Sequence, residues 1–177
     1  MAVSFEPRSA LLIIDMLNDF IEEGGSLLVP GAKRIVTRIR QILEDARGQG
    51  IPVIYLTDSH LEDDHEFRYW PPHAISNTWG GEVIEELAPL PGEYIVPKRR
   101  YSAFFGTDLD IYLRELGAGR IYLTGVLTNI CVYATALDAS MRGYQVTVFR
   151  DAVASLSEET DRFIFQQLEE VLRAELL

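Results

Sequence analysis

The chain has 177 residues, 47% of them hydrophobic and 24% charged, which fits one globular domain over residues 1–177 and excludes a wholly disordered chain. Its formal net charge of −11 excludes nucleic acid and anionic membrane as main partners, because binding phosphate requires a basic face. A single cysteine forms no internal disulfide, and the N-terminal residues show no secretion or membrane signal, so we expect a cytoplasmic protein.

The first half of the chain alternates short apolar runs with helical patterns. A strand is predicted at 9–15 and is followed by an amphipathic helix at 32–50. A second strand is predicted at 51–58. A short helix at 80–90, ended by proline, precedes a third strand at 93–98.

The second half of the chain repeats this alternation. A helix at 107–119 leads to a strand at 120–126, and a helix at 129–144 leads to a strand at 145–152. A final helix is predicted over 157–177. Strands that alternate with crossover helices predict a three-layer α/β/α, Rossmann-like fold with a mostly parallel sheet. The sheet has five strands, or six if the terminal "AELL" forms an edge strand.

Residues 58–80 form a long segment without clear periodicity. Loops of this length inside compact domains are usually functional or disordered. This segment contains all three histidines and both tryptophans of the chain, which favours a functional loop.

Chemically useful side chains follow four of the predicted strands. Asp15, Asp58 and Lys98 end the first three strands, and Cys131 follows the fourth at the start of a helix. In open parallel sheets the ligand crevice lies beyond the carboxyl ends of the strands, so these groups are expected at one rim. A helix N-terminus and a nearby ammonium both lower a thiol pKa, and a carboxylate can take the thiol proton. Backbone N–H groups of the turn before the helix can hold an oxyanion.

Each of these residues also has a structural interpretation. Free cysteines are among the most buried residue types, so Cys131 alone fits a packed core thiol. A strand-terminal Asp15 fits a cap or a turn, and Lys98 fits a solvated basic edge next to two arginines. The combination of the three at one rim favours a nucleophilic site.

The long loop also contains residue types that bind metals. Asp58 and His60 form a D-x-H pair and His73 follows, and imidazole with carboxylate suits Zn, Fe or Mn. The spacing equally fits solvated loop side chains. Three aromatic residues, one in this loop and two outside it, are candidates for a pocket around a flat substrate, or for ordinary packing. These aromatic residues are Phe20, Trp70 and Tyr101.

Three separated blocks, in order, resemble the isochorismatase-like cysteine hydrolases, a superfamily that includes the nicotinamidases. The blocks are "LLIIDMLNDF", "VPKRRYSAFFGTDLD" and "LTGVLTNICVYATALDASMRGYQVTVFRDA", and the resemblance covers nearly the whole chain. It implies a catalytic triad of Asp15 as base, Lys98 as support and Cys131 as nucleophile. It also implies a cis peptide between Val126 and Leu127, with the backbone N–H groups of Leu127 and Cys131 as oxyanion hole.

The long loop is similar to that of the nicotinamidases. There the metal is held by the two residues of a D-x-H pair and the histidine of a W-P-x-H segment, which here are Asp58, His60 and His73 of "WPPH". An acidic residue between them sometimes joins, and Asp64 or Glu66 matches it. The resemblance thus implies a divalent metal, zinc first with iron or manganese as alternatives, and no organic cofactor. The aromatic trio matches residues that sandwich the substrate ring.

Two motifs depart from the nicotinamidases. The chain has "DSH" where they usually have D-W-H, and its compact "KRRYSAFFGTD" is more like isochorismatases, ureidoacrylate amidases and N-carbamoylsarcosine amidases. The resemblance therefore implies a cysteine-dependent amidohydrolase of a small amide, with nicotinamide as first candidate and these other activities as alternatives. A non-catalytic binding protein on the same fold is a further hypothesis. The family resemblance also implies a homo-oligomer.

Overall fold

The computed structural model describes residues 2–177, which form six strands and five α-helices. The strands are β1 (Ser9–Ile14), β2 (Val53–Asp58), β3 (Tyr94–Lys98), β4 (Arg120–Val126), β5 (Gln145–Ala154) and β6 (Glu175–Leu176). The helices are α1 (Asn18–Ile21), α2 (Lys33–Gly48), α3 (Leu109–Glu115), α4 (Tyr133–Met141) and α5 (Glu158–Glu170). All neighbouring strands pair in parallel, in the order β3-β2-β1-β4-β5-β6.

Helices cover both faces of this sheet. The apolar stripe of α2, with Ile35 and Ile39, packs in one buried cluster on the first face. Leu113 of α3, Ala136 of α4 and Leu168 of α5 belong to the cluster on the opposite face. Every residue of β1 is buried, as expected for a strand covered on both sides. The three-layer α/β/α prediction is confirmed. Within the described residues, no helix is both long and apolar enough to cross a bilayer.

The predicted final helix at 157–177 is too long. Helix α5 ends at Glu170, and Arg173 adopts a left-handed φ of 56°. The Ala174 N–H donates to the carbonyl of Leu168 at 2.9 Å, which closes the helix end in the manner of a C-terminal cap. The chain then turns back and pairs β6 with β5, so the sheet has six strands and "AELL" supplies the last one.

Two other predicted helices also differ. The helix expected at 80–90 is replaced by 3₁₀ turns at Trp79–Gly81 and Glu85–Leu87. Between them Val83 forms an antiparallel bridge with Leu17, and this pairing competes with helical hydrogen bonding. The helix expected at 129–144 begins instead as a π turn at Thr128–Val132, before α4.

The strand order creates one topological switch point. The chain runs from β1 through β2 to β3 on one side of β1, and the connection after β3 then returns past β1 and places β4 on its other side. A crevice forms beyond the carboxyl ends of β1 and β4, where Ile14 lies opposite Gly125. Ligands bind at such a crevice in open α/β sheets.

Candidate active site

Lys98 is the centre of a buried ionic cluster at the switch point. Its Nζ lies 2.8 Å from Oδ2 of Asp15, 2.5 Å from Oδ1 of Asp58 and 3.3 Å from Sγ of Cys131. All four residues are buried. The ends of β1, β2 and β3 supply the two carboxylates and the ammonium, and the π turn after β4 supplies the thiol. The structure therefore brings the predicted triad together.

The environment gives the two carboxyl groups, those of Asp15 and Asp58, pKa values that are shifted in opposite directions. Burial, reinforced by the charge of Asp58, raises the pKa of Asp15 to about 6 although Lys98 opposes this shift. Burial would also raise the pKa of Asp58, but the charge and hydrogen bond of Lys98, together with the nearby His60 ring, outweigh it and lower that pKa to about 2. Asp15 is thus the carboxylate better able to accept a proton.

The thiol of Cys131 differs from the sequence-based expectation. We expected the helix start and Lys98 to lower its pKa. Burial and the charges of Asp15 and Asp58 instead raise the pKa of Cys131 well above its usual range, and the opposing effect of Lys98 is smaller. The folded site therefore favours the protonated thiol of Cys131.

Gly125 allows the turn before Cys131 to approach β1. It has a φ of 110°, and a Cβ there would lie 2.0 Å from the carbonyl oxygen of Ile14. Only glycine fits this contact. The next peptide bond, between Val126 and Leu127, is cis.

Within the π turn, the backbone N–H of Cys131 does not donate to the carbonyl of Leu127. The Leu127 carbonyl accepts from the N–H groups of Ile130 at 3.0 Å and Val132 at 3.2 Å, and thus skips the intervening N–H of Cys131. N–H groups in the first turn of a helix lack intrahelical partners and serve well as anion donors. This geometry is compatible with an oxyanion hole at Leu127 and Cys131.

A narrow cleft with a cavity volume of about 40 Å³ opens above the cluster. The predicted aromatic residues Phe20, Trp70 and Tyr101 all line it, and Nε1 of Trp70 donates to the Tyr101 hydroxyl at 3.1 Å. Asp15 and Cys131 line the same cleft. Sequence reasoning missed its other apolar lining residues, Leu27, Leu28, Val29, Ile130 and Leu156. For Leu27, Leu28 and Val29, the short apolar run "LLV" in the loop before Pro30 was the feature of the sequence that could have indicated them.

The predicted metal-binding residues also meet. The Oδ2 atom of Asp58 lies 3.7 Å from Nε2 of His60 and 3.9 Å from Nε2 of His73, and one donor atom from each lies within 4.8 Å of the others. Nδ1 of His73 lies 2.7 Å from the carbonyl of Pro71, which fixes the ring and directs Nε2 to the cluster. Both ring nitrogens of His60 are buried without a hydrogen-bond partner. Two imidazoles and a carboxylate fit a divalent transition metal.

The two acidic candidates for a fourth ligand differ in placement. Oδ2 of Asp64 lies 3.3 Å from Nδ1 of His60, on the other side of the ring from Asp58. Asp64 also pairs with Arg99 at 2.7 Å and Arg100 at 3.1 Å. It is therefore placed to orient the His60 ring. Glu66 lines the cleft instead.

Comparisons with known proteins identify the family of this chain. The Isochorismatase domain family model matches residues 9–175. A Bacillus subtilis protein named uncharacterized isochorismatase family protein PncA is 39% identical over 163 residues, covering 86% of this chain and 89% of that protein.

Solved structures of similar proteins have the same fold. The pyrazinamidase/nicotinamidase of Streptococcus mutans is 39% identical with a TM-score of 0.91, covering 96% of this chain and 99% of that one. The N-carbamoylsarcosine amidase of Thermoplasma acidophilum is 38% identical with a TM-score of 0.88, covering 96% and 95%. The pyrazinamidase of Pyrococcus horikoshii, solved in complex with zinc, is 33% identical with a TM-score of 0.89, covering 97% and 99%. The chain therefore belongs to the isochorismatase family.

Proposed function

We propose that this isochorismatase-family amidohydrolase cleaves a small neutral aromatic amide, with nicotinamide as the first candidate, through a thioester on Cys131. The observation that carries the proposal is the buried cluster of Asp15, Lys98 and Cys131, which opens into an aromatic-lined cleft. The products would be nicotinate and ammonia.

In the first half of the reaction, Asp15 accepts the proton of the Cys131 thiol, and the sulfur attacks the amide carbon. The raised pKa of Asp15, about 6, suits a group that takes up and returns a proton near neutral pH. The carbonyl oxygen becomes an oxyanion and accepts hydrogen bonds from the N–H groups of Leu127 and Cys131. The C–N bond then breaks, and the leaving nitrogen takes the proton from Asp15 and departs as ammonia.

In the second half, water hydrolyses the thioester. Asp15 removes a proton from the water as its oxygen attacks the thioester carbon, and the same two N–H groups hold the second oxyanion. The C–S bond breaks, Cys131 regains a proton, and the carboxylic acid leaves. Lys98 keeps both carboxylates of the cluster in place and compensates the negative charge that develops on sulfur, which lies 3.3 Å from its Nζ.

Asp58, His60 and His73 would hold a divalent metal at one side of the cleft. A bound metal would supply a Lewis acid for the substrate or for a water. Zinc is the first candidate because the similar pyrazinamidase of Pyrococcus horikoshii was solved in complex with zinc. Iron and manganese suit the same donor set.

The charge of the cleft favours a neutral substrate. Among the described residues, its lining contains three carboxylates, Asp15, Asp58 and Glu66, and neither lysine nor arginine. Ureidoacrylate and N-carbamoylsarcosine carry a carboxylate, for which this lining offers no lysine or arginine as a partner, whereas nicotinamide is neutral. The second candidate is nevertheless an N-carbamoyl amide, because the chain is 38% identical to an N-carbamoylsarcosine amidase.

A substrate screen tests the proposal. Ammonia release should be measured with nicotinamide, pyrazinamide, ureidoacrylate and carbamoyl amino acids, while isochorismate hydrolysis is followed separately. We expect nicotinamide and pyrazinamide to be cleaved, and Cys131→Ala to abolish turnover in a folded protein. Cleavage of carbamoyl amino acids alone would replace nicotinamide with the second candidate. No turnover of any compound, together with a Cys131 inert to iodoacetamide at neutral pH, would indicate a non-catalytic binding protein.

The proposal includes a homo-oligomer in a cytoplasmic setting. The single cysteine supports a reducing compartment, and family resemblance supports self-association. Light scattering coupled to size exclusion gives the mass to compare with 20.0 kDa for one chain.

A further inference from the structure

Asp19 is a buried carboxylate of α1 that lies outside the catalytic cluster and the metal-binding residues. Only 8% of its surface is exposed. We infer that Asp19 is a positioning residue that ties together the two walls of the substrate cleft and thereby places His73. This inference rests on the proposed function, because it assigns Asp19 a role in that same site.

The two carboxylate oxygens of Asp19 bind two different loops. Oδ2 accepts a hydrogen bond from the N–H of Ala74 at 2.7 Å, and Oδ1 accepts one from the N–H of Ser26 at 3.0 Å. The Asp19 carbonyl also accepts from the N–H of Leu27 at 3.1 Å. Ala74 directly follows His73, and Leu27 lines the cleft. One side chain therefore connects the loop that carries the metal-binding histidine with the loop that covers the substrate.

A third segment closes over the same carboxylate. A Cβ at Gly80 would lie 2.1 Å from Oδ2 of Asp19, so the backbone at Gly80 packs directly on the side chain. The neighbouring Asn18 donates from Nδ2 to the carbonyl of Trp79 at 2.7 Å, which holds this segment in place. Three segments of the chain thus meet at Asp19.

The backbone beside His73 depends on this contact. Ala74 is fully buried and has a φ of 44°, in the left-handed region that non-glycine residues seldom adopt. Such a conformation persists only where surrounding contacts determine it. The bond from Ala74 to Asp19 is one of these contacts, and Phe20 adds a ring contact to His73 at 5.5 Å between centroids. Nε2 of His73 is thereby held 3.9 Å from Asp58.

The position requires a carboxylate rather than an amide. Both loops present N–H donors to the side chain, so each of its two oxygens must accept. Asparagine has nearly the same shape but offers one acceptor and one donor, so its NH₂ group would face a backbone N–H. A buried donor left without a partner is destabilising, and one of the two loops would lose its attachment. The Asp19→Asn substitution therefore breaks the contact with almost no change in volume.

The test compares Asp19→Asn with Asp45→Asn. Asp45 also accepts a backbone hydrogen bond, from Val3 at 2.8 Å, but this bond holds neither of the two loops that Asp19 joins. The first readout is amide hydrogen exchange of residues 22–30 and 73–81. The second is the dissociation constant for Co²⁺ added to chelator-treated protein, read from its visible absorption. We expect Asp19→Asn to speed exchange in both segments and to weaken Co²⁺ binding about tenfold or more, as supporting contacts of metal ligands do. Asp45→Asn should change neither readout.

Gly80→Ala tests the same contact from the other side. Its Cβ forces the Asp19 carboxylate to move, so it should reproduce both effects, and it decides the question if Asp19→Asn fails to fold. Unchanged exchange in either segment, or an unchanged Co²⁺ dissociation constant, would overturn the inference. Absence of Co²⁺ binding in the unmodified protein would overturn it as well. The ammonia screen distinguishes failure of this inference from failure of the proposed function. If the unmodified protein cleaves nicotinamide but Asp19→Asn binds Co²⁺ with unchanged affinity, only the role of Asp19 is excluded.

Discussion

The carboxylate of Asp15 accepts a hydrogen bond from the backbone N–H of Asp58 at 2.7 Å, so the proposed base is attached directly to a proposed metal ligand. Both carboxylates also share the ammonium of Lys98. The other oxygen of Asp58 faces His60 and His73. The nucleophilic cluster and the metal-binding residues therefore form one connected ionic network, and a change in either part acts on the other.

Asp15→Asn should remove turnover while leaving the fold intact. Asparagine keeps an oxygen that can accept from the Asp58 N–H, but it has no site for the thiol proton. General bases typically contribute about 10²–10⁴-fold to rate, so we expect kcat to fall by that amount. Ammonia release under saturating substrate measures it, with Asp63→Asn, an exposed carboxylate of the long loop, as the control. A variant at Asp15 that keeps the wild-type kcat would exclude this residue as the base.

Lys98→Met should strongly destabilise the protein. The substitution leaves two buried carboxylates without their shared cation, and removing one partner of a buried ionic group costs about 3–5 kcal/mol. Urea denaturation at pH 7 measures the loss in unfolding free energy. Lys33→Met is the matched control, because Lys33 pairs with Glu22 and Glu86 at the surface and should change stability by about 1 kcal/mol or less. Equal effects of the two substitutions would contradict a structural role for the Lys98 cluster.

The sequence predicted that the three residues meet because each stands at the end of a strand of one parallel sheet. The carboxyl ends of the strands of a parallel sheet lie at one edge, whatever the conformation of the loops. Predicting that Asp15, Lys98 and Cys131 lie close together therefore required only the correct assignment of the strands. The direction of the Cys131 pKa shift could not be predicted in this way. It depends on full burial and on the charges of two carboxylates, and these are properties of the packed site.

The errors of the sequence-based fold have a common cause. The final helix has continuous helical character, yet it ends at Glu170 because the chain turns at Arg173 to pair with β5. The segment at 80–90 does not form the expected helix because Val83 pairs with Leu17, which follows β1. Long-range backbone pairing overrides local propensity, and it leaves no periodic pattern in the sequence. Asp19 was missed for a related reason, since its partners are backbone N–H groups.

His73→Ala should weaken metal binding, whereas His65→Ala should not. His73 lies in the buried cluster with Asp58 and His60, while His65 belongs to the same loop but is exposed. Elemental analysis of protein purified without chelator should give roughly one divalent ion per chain, as a single three-residue site would bind. His73→Ala should lose most of this metal. Full activity of metal-free protein in EDTA would contradict a functional metal in this site.

Glu93→Gln should make stability less dependent on acidic pH. Arg47 donates to both carboxylate oxygens of Glu93 at 2.8 Å, and the Leu90 N–H donates at 2.7 Å. Burial alone would raise the pKa of Glu93, but these bonds lower it below its ordinary value of 4.5. The folded state therefore favours the ionised form, and its stabilising contribution is present above pH 4.5 and is lost as the pH falls below that value.

At pH 7 we expect Glu93→Gln to lower the unfolding free energy by about 1.5–3 kcal/mol, the range for hydrogen bonds to charged groups. The difference from the unmodified protein should shrink steadily as the pH is lowered from 4.5. Urea denaturation over a series of pH values measures both effects. Glu44→Gln is the control, because Glu44 forms only an exposed pair with Arg40 and should be nearly neutral throughout. A stability difference that stays constant down to the acid transition would show that the charge of Glu93 contributes nothing, and that the loss comes from packing alone.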